Sequence, residues 1–293
     1  MAINWFPGHM NKARREIAKA MPKVNLIIEV LDARIPFSSE NPLVSELRGT
    51  TPCIKVFNKA DLADPKWTEA WMTRFEQERG IKAVALNGLE PKRVKALVPL
   101  AKSLLPKDRA QGKTVTTMIL GIPNVGKSTL INTLAGRVVA KTGNKPAVTK
   151  MQQRIYIDHS FALLDTPGFL WPKLSPPSCG YKLAVTGAVR DAVTSFEDLA
   201  FYAVRTLADR YPERLIERYK LEELPQQEID ILEAIARRRG CMGRGGIVNL
   251  EKVCEILIME YRKGSLGRIT LETPREIEDE MERLAAEAEA EQD

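Results

Sequence analysis

The sequence predicts an α/β fold, a doubly wound, mostly parallel sheet, joined to an all-helical C-terminal domain. Three observations carry this. Short apolar runs at 24–31, 53–57, 83–86, 115–120 and 161–164 alternate with stretches of helical periodicity, as expected for strands covered by helices on both faces. A glycine-containing turn, Gly121-Ile-Pro-Asn-Val-Gly-Lys-Ser128, joins the fourth of these runs to a helix-like segment. From Ser178 onward the apolar residues recur at helical spacing only.

Taken in order, the chain opens on Trp5-Phe-Pro-Gly-His-Met10, too aromatic for a loose tail. It leads into a helix with Met10, Ala13, Ile17 and Met21 on one face and Lys12, Arg14, Arg15 and Lys19 elsewhere. The first strand ends in Asp32-Ala-Arg34 and the second in Asn58-Lys-Ala-Asp61. Asp64-Pro65 starts a helix in which Trp67, Trp71 and Phe75 form a core stripe. A short strand near Ala83 to Leu86 and one helix from Pro91 to Leu105 follow. Beyond the glycine turn, Ser128 to Ala135 is a helix closed by Gly136. Arg154 to Asp158 and Phe161 to Leu164 form a hairpin around Asp158-His-Ser160, and Asp165-Thr-Pro-Gly168 comes next. The proline-rich Trp171 to Pro177 breaks the alternation and sets a boundary between domains 1–174 and 175–293. In the second domain Phe196, Leu199, Ala203 and Leu207 form one buried stripe. Leu250, Val253, Cys254, Leu257, Ile258 and Tyr261 form another. Arg237-Arg-Arg-Gly-Cys-Met-Gly-Arg-Gly-Gly246 lies between them, and the acidic tail from Pro274 is helix-prone and expected to fray.

Composition bounds the function. The length of 293 residues suits two domains. No apolar run approaches the ~18 residues that span a bilayer, and the N-terminus lacks the pattern of a secretory signal. Four scattered cysteines without a Cys-x-x-Cys pair point to reduced thiols in the cytoplasm. The net charge is +6, although the last 22 residues hold ten acids against two arginines. A basic body with an acidic tail suits a polyanionic partner.

The glycine turn matches Gly, four residues, Gly-Lys-Ser. Such a loop aims its amide groups inward as a nest for polyphosphate, and the following helix adds the positive end of its dipole. Asn124, Val125, Gly126, Lys127, Ser128 and Thr129 are therefore candidate phosphate contacts, with Lys127 reaching the β- and γ-phosphates. The Ser128 hydroxyl would join a Mg2+ shell. Asn58-Lys59-Ala60-Asp61 makes the base guanine. A carboxylate at Asp61 accepts from the ring N–H and the exocyclic amine together, which adenine cannot offer. Asn58 would support the loop, the Lys59 stem would cover the ring, and Leu86 and Asn87 would add backbone contacts. Asp165 is placed to hold the Mg2+ through water, and the Gly168 amide to meet the γ-phosphate. Thr149 is the candidate for a second Mg2+ hydroxyl.

The order is abnormal: the guanine motif precedes the phosphate loop by about sixty residues, which one sheet permits if the chain is circularly permuted. This order resembles the circularly permuted GTPases of the RbgA/YlqF family. The resemblance rests on Trp5-Phe-Pro-Gly-His-Met10, Asn58-Lys-Ala-Asp61, Gly121 to Ser128 and Asp165-Thr-Pro-Gly168, and extends to Arg262-Lys-Gly-Ser-Leu-Gly-Arg-Ile-Thr-Leu-Glu272. It implies GTP hydrolysis to GDP in late assembly of the large ribosomal subunit, stimulated by that particle. It also implies a helical C-terminal domain that contacts ribosomal RNA. A monomer without DNA or membrane partners is expected. Ala147, where related proteins often carry glycine, leaves the path around Thr149 open.

Where many GTPases place a water-orienting glutamine, this chain has Phe169, which predicts slow turnover alone. Asn124 matches the asparagine that binds K+ in similar GTPases, and His9 is a second candidate for positioning water. Arg237 to Arg239 and Arg244 are candidate RNA-backbone contacts, or simply a glycine-capped helix end. An RNA-modification-linked GTPase and a signalling GTPase with a protein partner are the alternatives.

Overall fold

The computed structural model describes residues 9–106, 114–140, 153–171, 174–189 and 194–290, with side chains from residue 14 on. Its centre is a six-stranded sheet: β1 Leu26–Asp32, β2 Cys53–Asn58, β3 Ile81–Ala85, β4 Val115–Gly121, β5 Gln153–Asp158 and β6 Phe161–Asp165. The spatial order is β3-β2-β1-β4-β6-β5. All pairs are parallel except the edge hairpin β5–β6. The chain lays strands outward from β1 to β3 and then returns to the other side of β1 for β4. That reversal between β1 and β4 is where an open α/β sheet binds ligands, at the carboxyl ends of its strands.

The central strands β1, β2 and β4 are buried along their whole length, which is why they read as apolar runs rather than alternations. Two charges interrupt them. Glu29 and Lys55 stand opposite each other in the β1–β2 register, so the parallel pairing itself brings Lys55 Nζ to 2.7 Å from Glu29. Glu40 approaches the same ammonium at 2.6 Å. With two carboxylates on one lysine, burial and the neighbouring Glu29 outweigh Lys55 and push Glu40 up to about 7 from an ordinary 4.5. The folded state thus holds a proton on Glu40 that the unfolded chain releases above pH 4.5, and stability falls as pH rises from there to about 7. In Glu40→Gln this slope is expected to flatten. Thermal melts should match the parent at pH 5 and exceed it by about 3 °C at pH 8.

Around the sheet lie α1 His9–Ala20, α2 Pro36–Ser39, α3 Pro42–Arg48, α4 Pro65–Glu76, α5 Pro91–Lys95, α6 Leu97–Ser103 and α7 Lys127–Ala135. Proline at the first turn and an accepting side chain just before it start α3 and α4. Asn41 takes the Leu43 amide and Asp64 the Lys66 amide. Two expectations change. The core face of α4 is Thr68, Trp71 and Phe75; Trp67 is half-buried, with the Lys66 ammonium over its ring. A strict four-residue stripe drifts off a 3.6-residue helix, and Thr68 takes the inner position. The single helix expected over 91–105 is two, meeting at Ala96.

From Ser178 onward the described chain is helical: α8 Ser178–Val185, α9 Phe196–Arg210, α10 Pro212–Tyr219, α11 Glu228–Arg239, α12 Leu250–Arg262 and α13 Pro274–Ala290. The two apolar stripes meet where α9 packs on α12, although Phe196 and Leu250 at their ends are half-buried. The tail expected to fray is the helix α13, pinned by buried Ile277 and by Glu280, which accepts from the Ser178 hydroxyl at 2.6 Å. Residues 263–273 run back along the sheet edge of the guanine loop. Ile269 N donates to Leu62 O at 3.0 Å and Leu271 N to Arg34 O at 2.8 Å. Glu272, fully buried, accepts from Ser38 N at 2.9 Å and lies 3.3 Å from Lys182. Among the described residues no helix is long and apolar enough to cross a membrane.

Candidate nucleotide site

The carboxyl ends of β1, β2, β3, β4 and β6 bring the sequence motifs to one edge of the sheet. Gly121 ends β4 against β1, so close that a Cβ would lie 2.8 Å from the Val30 carbonyl. The loop then turns through two left-handed residues, Asn124 at φ 59 and Gly126 at φ 96, before Lys127 opens α7. Left-handed residues of this kind let a phosphate loop turn its amides inward, beside the positive end of the helix.

The guanine loop is fastened to this phosphate loop. Asn58, at the end of β2, donates from Nδ2 to Val125 O at 2.8 Å. Its Oδ1 accepts from Gly88 N at 2.8 Å. One buried amide thus ties together three segments: the ends of β2 and β3 and the phosphate loop. The contact leaves no room for side chains, since a Cβ on Gly126 would collide with Asn58 Nδ2. Lys59, left-handed at φ 59, donates to Asn124 O at 2.9 Å and to Asp32 at 2.9 Å. Ala60 N donates to Leu86 O at 3.2 Å, which sets the Leu86–Asn87 segment against the loop. Asp61 is exposed in the short turn after Lys59, free to meet a base.

On the phosphate side, the Lys127 ammonium pairs with the Asp165 carboxylate, both buried. Burial lowers Lys127 below the usual lysine range while Asp165 pulls it back up. Ser128 and Thr129 follow at the helix start, half-buried. Gly168 sits on the phosphate loop: a Cβ there would lie 3.0 Å from Pro123 N and 3.1 Å from its Cα, so only glycine lets the segment approach. Phe169 is buried, with its carbonyl accepting from Asn41 Nδ2 at 3.2 Å. Asn124 donates from Nδ2 to Gly187 O at 2.8 Å. Thr149 and Ala147 lie outside the described residues, as do Trp5 to Gly8; His9 opens α1, with its side chain outside the description.

Asp32, Arg34 and Asn41 escaped the motif reading. Asp32 and Arg34 are buried ions at a strand end, and a charge pair closing an otherwise apolar run was the available signal. Asn41 had none, because its contact to Phe169 spans distant parts of the chain.

A phosphate loop and a guanine loop joined on a permuted α/β sheet define a P-loop GTPase, an enzyme that binds GTP and hydrolyses it to GDP. The family model described as 50S ribosome-binding GTPase matches residues 116–235. The chain is 44% identical to ribosome biogenesis GTPase A of Priestia megaterium, over 95% of this chain and 99% of that one. It is 42% identical to the protein of that name in Bacillus pumilus, over 94% and 99%. The crystal structure of GNP-bound YlqF from T. maritima superposes with a TM-score of 0.62 at 27% identity, covering 90% of this chain and 98% of that one. The chain belongs to the ribosome biogenesis GTPase A family.

Proposed function

We propose that this GTPase acts in late maturation of the large ribosomal subunit, binding the particle with GTP and leaving after hydrolysis. The observation that carries the nucleotide half is the double fastening of the guanine loop to the phosphate loop through Asn58 and Lys59. The ribosomal half rests on the names of the relatives. Residues 1–174 form the GTPase unit in this reading, and 175–293 the unit that meets ribosomal RNA. Co-sedimentation of the full-length protein with large subunits, in a non-hydrolysable GTP analogue against GDP, is the test. Retention with the analogue only is expected, and equal retention removes the switch. Absence of retention would favour a signalling GTPase.

Within the site, Asp61 reads the base, Lys127 meets the β- and γ-phosphates, and the Gly168 amide senses the γ-phosphate. The donor set suits Mg2+: a hydroxyl at Ser128 and a buried carboxylate at Asp165, both hard oxygen ligands beside the phosphates. Thr149 is the proposed second hydroxyl. The ion supplies charge neutralisation at the phosphates. Lys127 would exchange its bond to Asp165 for the nucleotide, leaving the carboxylate to the ion. Buried Phe169 offers water no hydrogen bond, so turnover without the particle is slow. K+ at Asn124 and water positioning by His9 are proposed to complete the site. Equal turnover in sodium and potassium buffers on the stimulated enzyme would discard the first. His9→Ala lowering turnover no more than GTP affinity would discard the second.

The RNA contact is assigned to the end of α11 and the turn after it. Gly240 caps the helix in left-handed conformation. Arg237 pairs with Glu233 and Arg239 with Glu260. Arg238 and Arg244 stand exposed without an ion pair among the described residues, free to neutralise phosphate. Replacing both with alanine should weaken subunit binding and reduce the slope of log affinity against log salt by about 1–2. An unchanged slope would leave only a capped helix end.

A further inference from the structure

Asp32 lies at the carboxyl end of β1, outside every motif that defines the nucleotide site. Its carboxylate is buried and has four donors. Oδ1 accepts from the Arg34 backbone N at 3.1 Å and from Arg34 Nε at 2.9 Å. Oδ2 accepts from Arg34 Nη2 at 2.7 Å and from Lys59 Nζ at 2.9 Å. Burial alone would raise this carboxyl, yet the two cations beside it hold it well below the usual range. Arg34 is itself immobilised. Its guanidinium lies 5.3 Å from the Tyr261 ring centroid and its carbonyl accepts from Leu271 N at 2.8 Å. The carboxylate therefore has one available geometry, and Lys59 is its outermost donor.

We infer that Asp32 is a positioning residue for guanine-nucleotide retention, holding the Lys59 ammonium so that its stem lies along the base and its head stays on the phosphate loop. The inference rests on Asn58 to Asp61 being the guanine loop. The backbone of Lys59 does not fix the residue cheaply, because its left-handed conformation is disfavoured for a side chain with a Cβ. Without the Asp32 carboxylate, the ammonium would lose its buried counter-charge and turn to solvent. The bond to Asn124 O would go with it. The base would then lose its cover and the phosphate loop its strap, while the γ-phosphate side, built on Lys127 and Asp165, would be untouched. The effect belongs to nucleotide release rather than to the chemical step.

Because Asp32→Asn alone strands a buried arginine, the test variant is Asp32→Asn with Arg34→Met. Stopped-flow release of a fluorescent mant-GDP should be about tenfold faster, the scale of one hydrogen bond between charged groups. KM for GTP should rise by a similar factor, with kcat unchanged within about twofold. Lys59→Met, which keeps the stem and removes the charge, should give the same acceleration. Adding it to the double variant should give no more, since both remove one interaction. Release within twofold of the parent in the folded double variant would overturn the inference, as would factors that multiply. Asp32→Glu keeps the charge and displaces it from Lys59. If the double variant does not fold, faster release in Asp32→Glu supports the inference and parental release overturns it. Asp61→Asn separates the two levels. If it fails to move preference from guanine to xanthine nucleotides, the guanine loop itself is misassigned. If it succeeds while the Asp32 variants release at the parental rate, only the role of Asp32 is lost.

Discussion

Lys127→Met is expected to reduce GTP turnover by about a thousandfold and to weaken GTP binding strongly, with the fold retained. The magnitude follows from where the ammonium sits. It is buried at the start of α7, so in the proposed site its charge would act on the phosphates in a medium that screens poorly. Removing one preorganised donor from such a site costs on the order of a hundred- to a thousandfold in rate, and here loss of ground-state binding adds to it. Methionine is preferred to alanine because it fills the same channel beside Asp165. Removing the lysine still leaves Asp165 buried without its partner, a loss that can reach ~3–5 kcal/mol. Circular dichroism and melting should therefore accompany phosphate-release and mant-GTP titrations. A folded Lys127→Met that binds GTP and turns it over at the parental rate would remove the phosphate-loop assignment.

The sheet was legible because its chemistry is local. Buried parallel strands must be apolar along their length, so β1, β2 and β4 declared themselves, and the glycine turn after β4 had to be a turn whatever bound to it. The motifs were legible for the same reason: each is a run of neighbours at a strand end. What remained hidden was how distant segments touch. Nothing in the neighbourhood of Glu272 says that it will be buried against Ser38 and Lys182, and nothing near Asn41 points to the carbonyl of Phe169. The first set follows from how the return segment 263–273 and α8 pack onto the sheet, and the second from how the segment after β6 lies against the start of α3, both global results of burying many apolar faces at once. Trp67 illustrates a smaller difference: the indole is the more apolar side chain, yet the helical phase places Thr68 inside with Trp71 and Phe75. The charges Glu29 and Lys55 could have been paired in advance, since each breaks an apolar run at the fourth or third position of its strand and the parallel register sets them side by side.

The second large effect is a change of substrate. Asp61→Asn should lower GTP affinity by about a thousandfold and raise that for xanthosine triphosphate, so that the variant prefers the xanthine nucleotide. In the proposed site the carboxylate would accept two hydrogen bonds from guanine. With an amide in its place, one acceptor becomes a donor and faces the exocyclic amine, while the 2-oxo group of xanthine offers that donor a partner. A polar site that loses a designed partner discriminates by ~10⁴–10⁵ in favourable cases, and partial exposure of Asp61 in this turn argues for the lower thousandfold figure. The fold should not suffer, because the Asp61 side chain makes no hydrogen bond or ion pair among the described residues, and the loop's shape is kept by Asn58 on Val125 O and by Ala60 on Leu86 O. Competition of mant-GDP by GTP, ITP, XTP and ATP reads the result. ITP, which lacks the exocyclic amine, should already bind the parent protein less well than GTP. If the Asn variant keeps its preference for GTP over XTP, the carboxylate does not touch the base, and the permuted joining of the β2 and β4 loops would have to serve some other ligand.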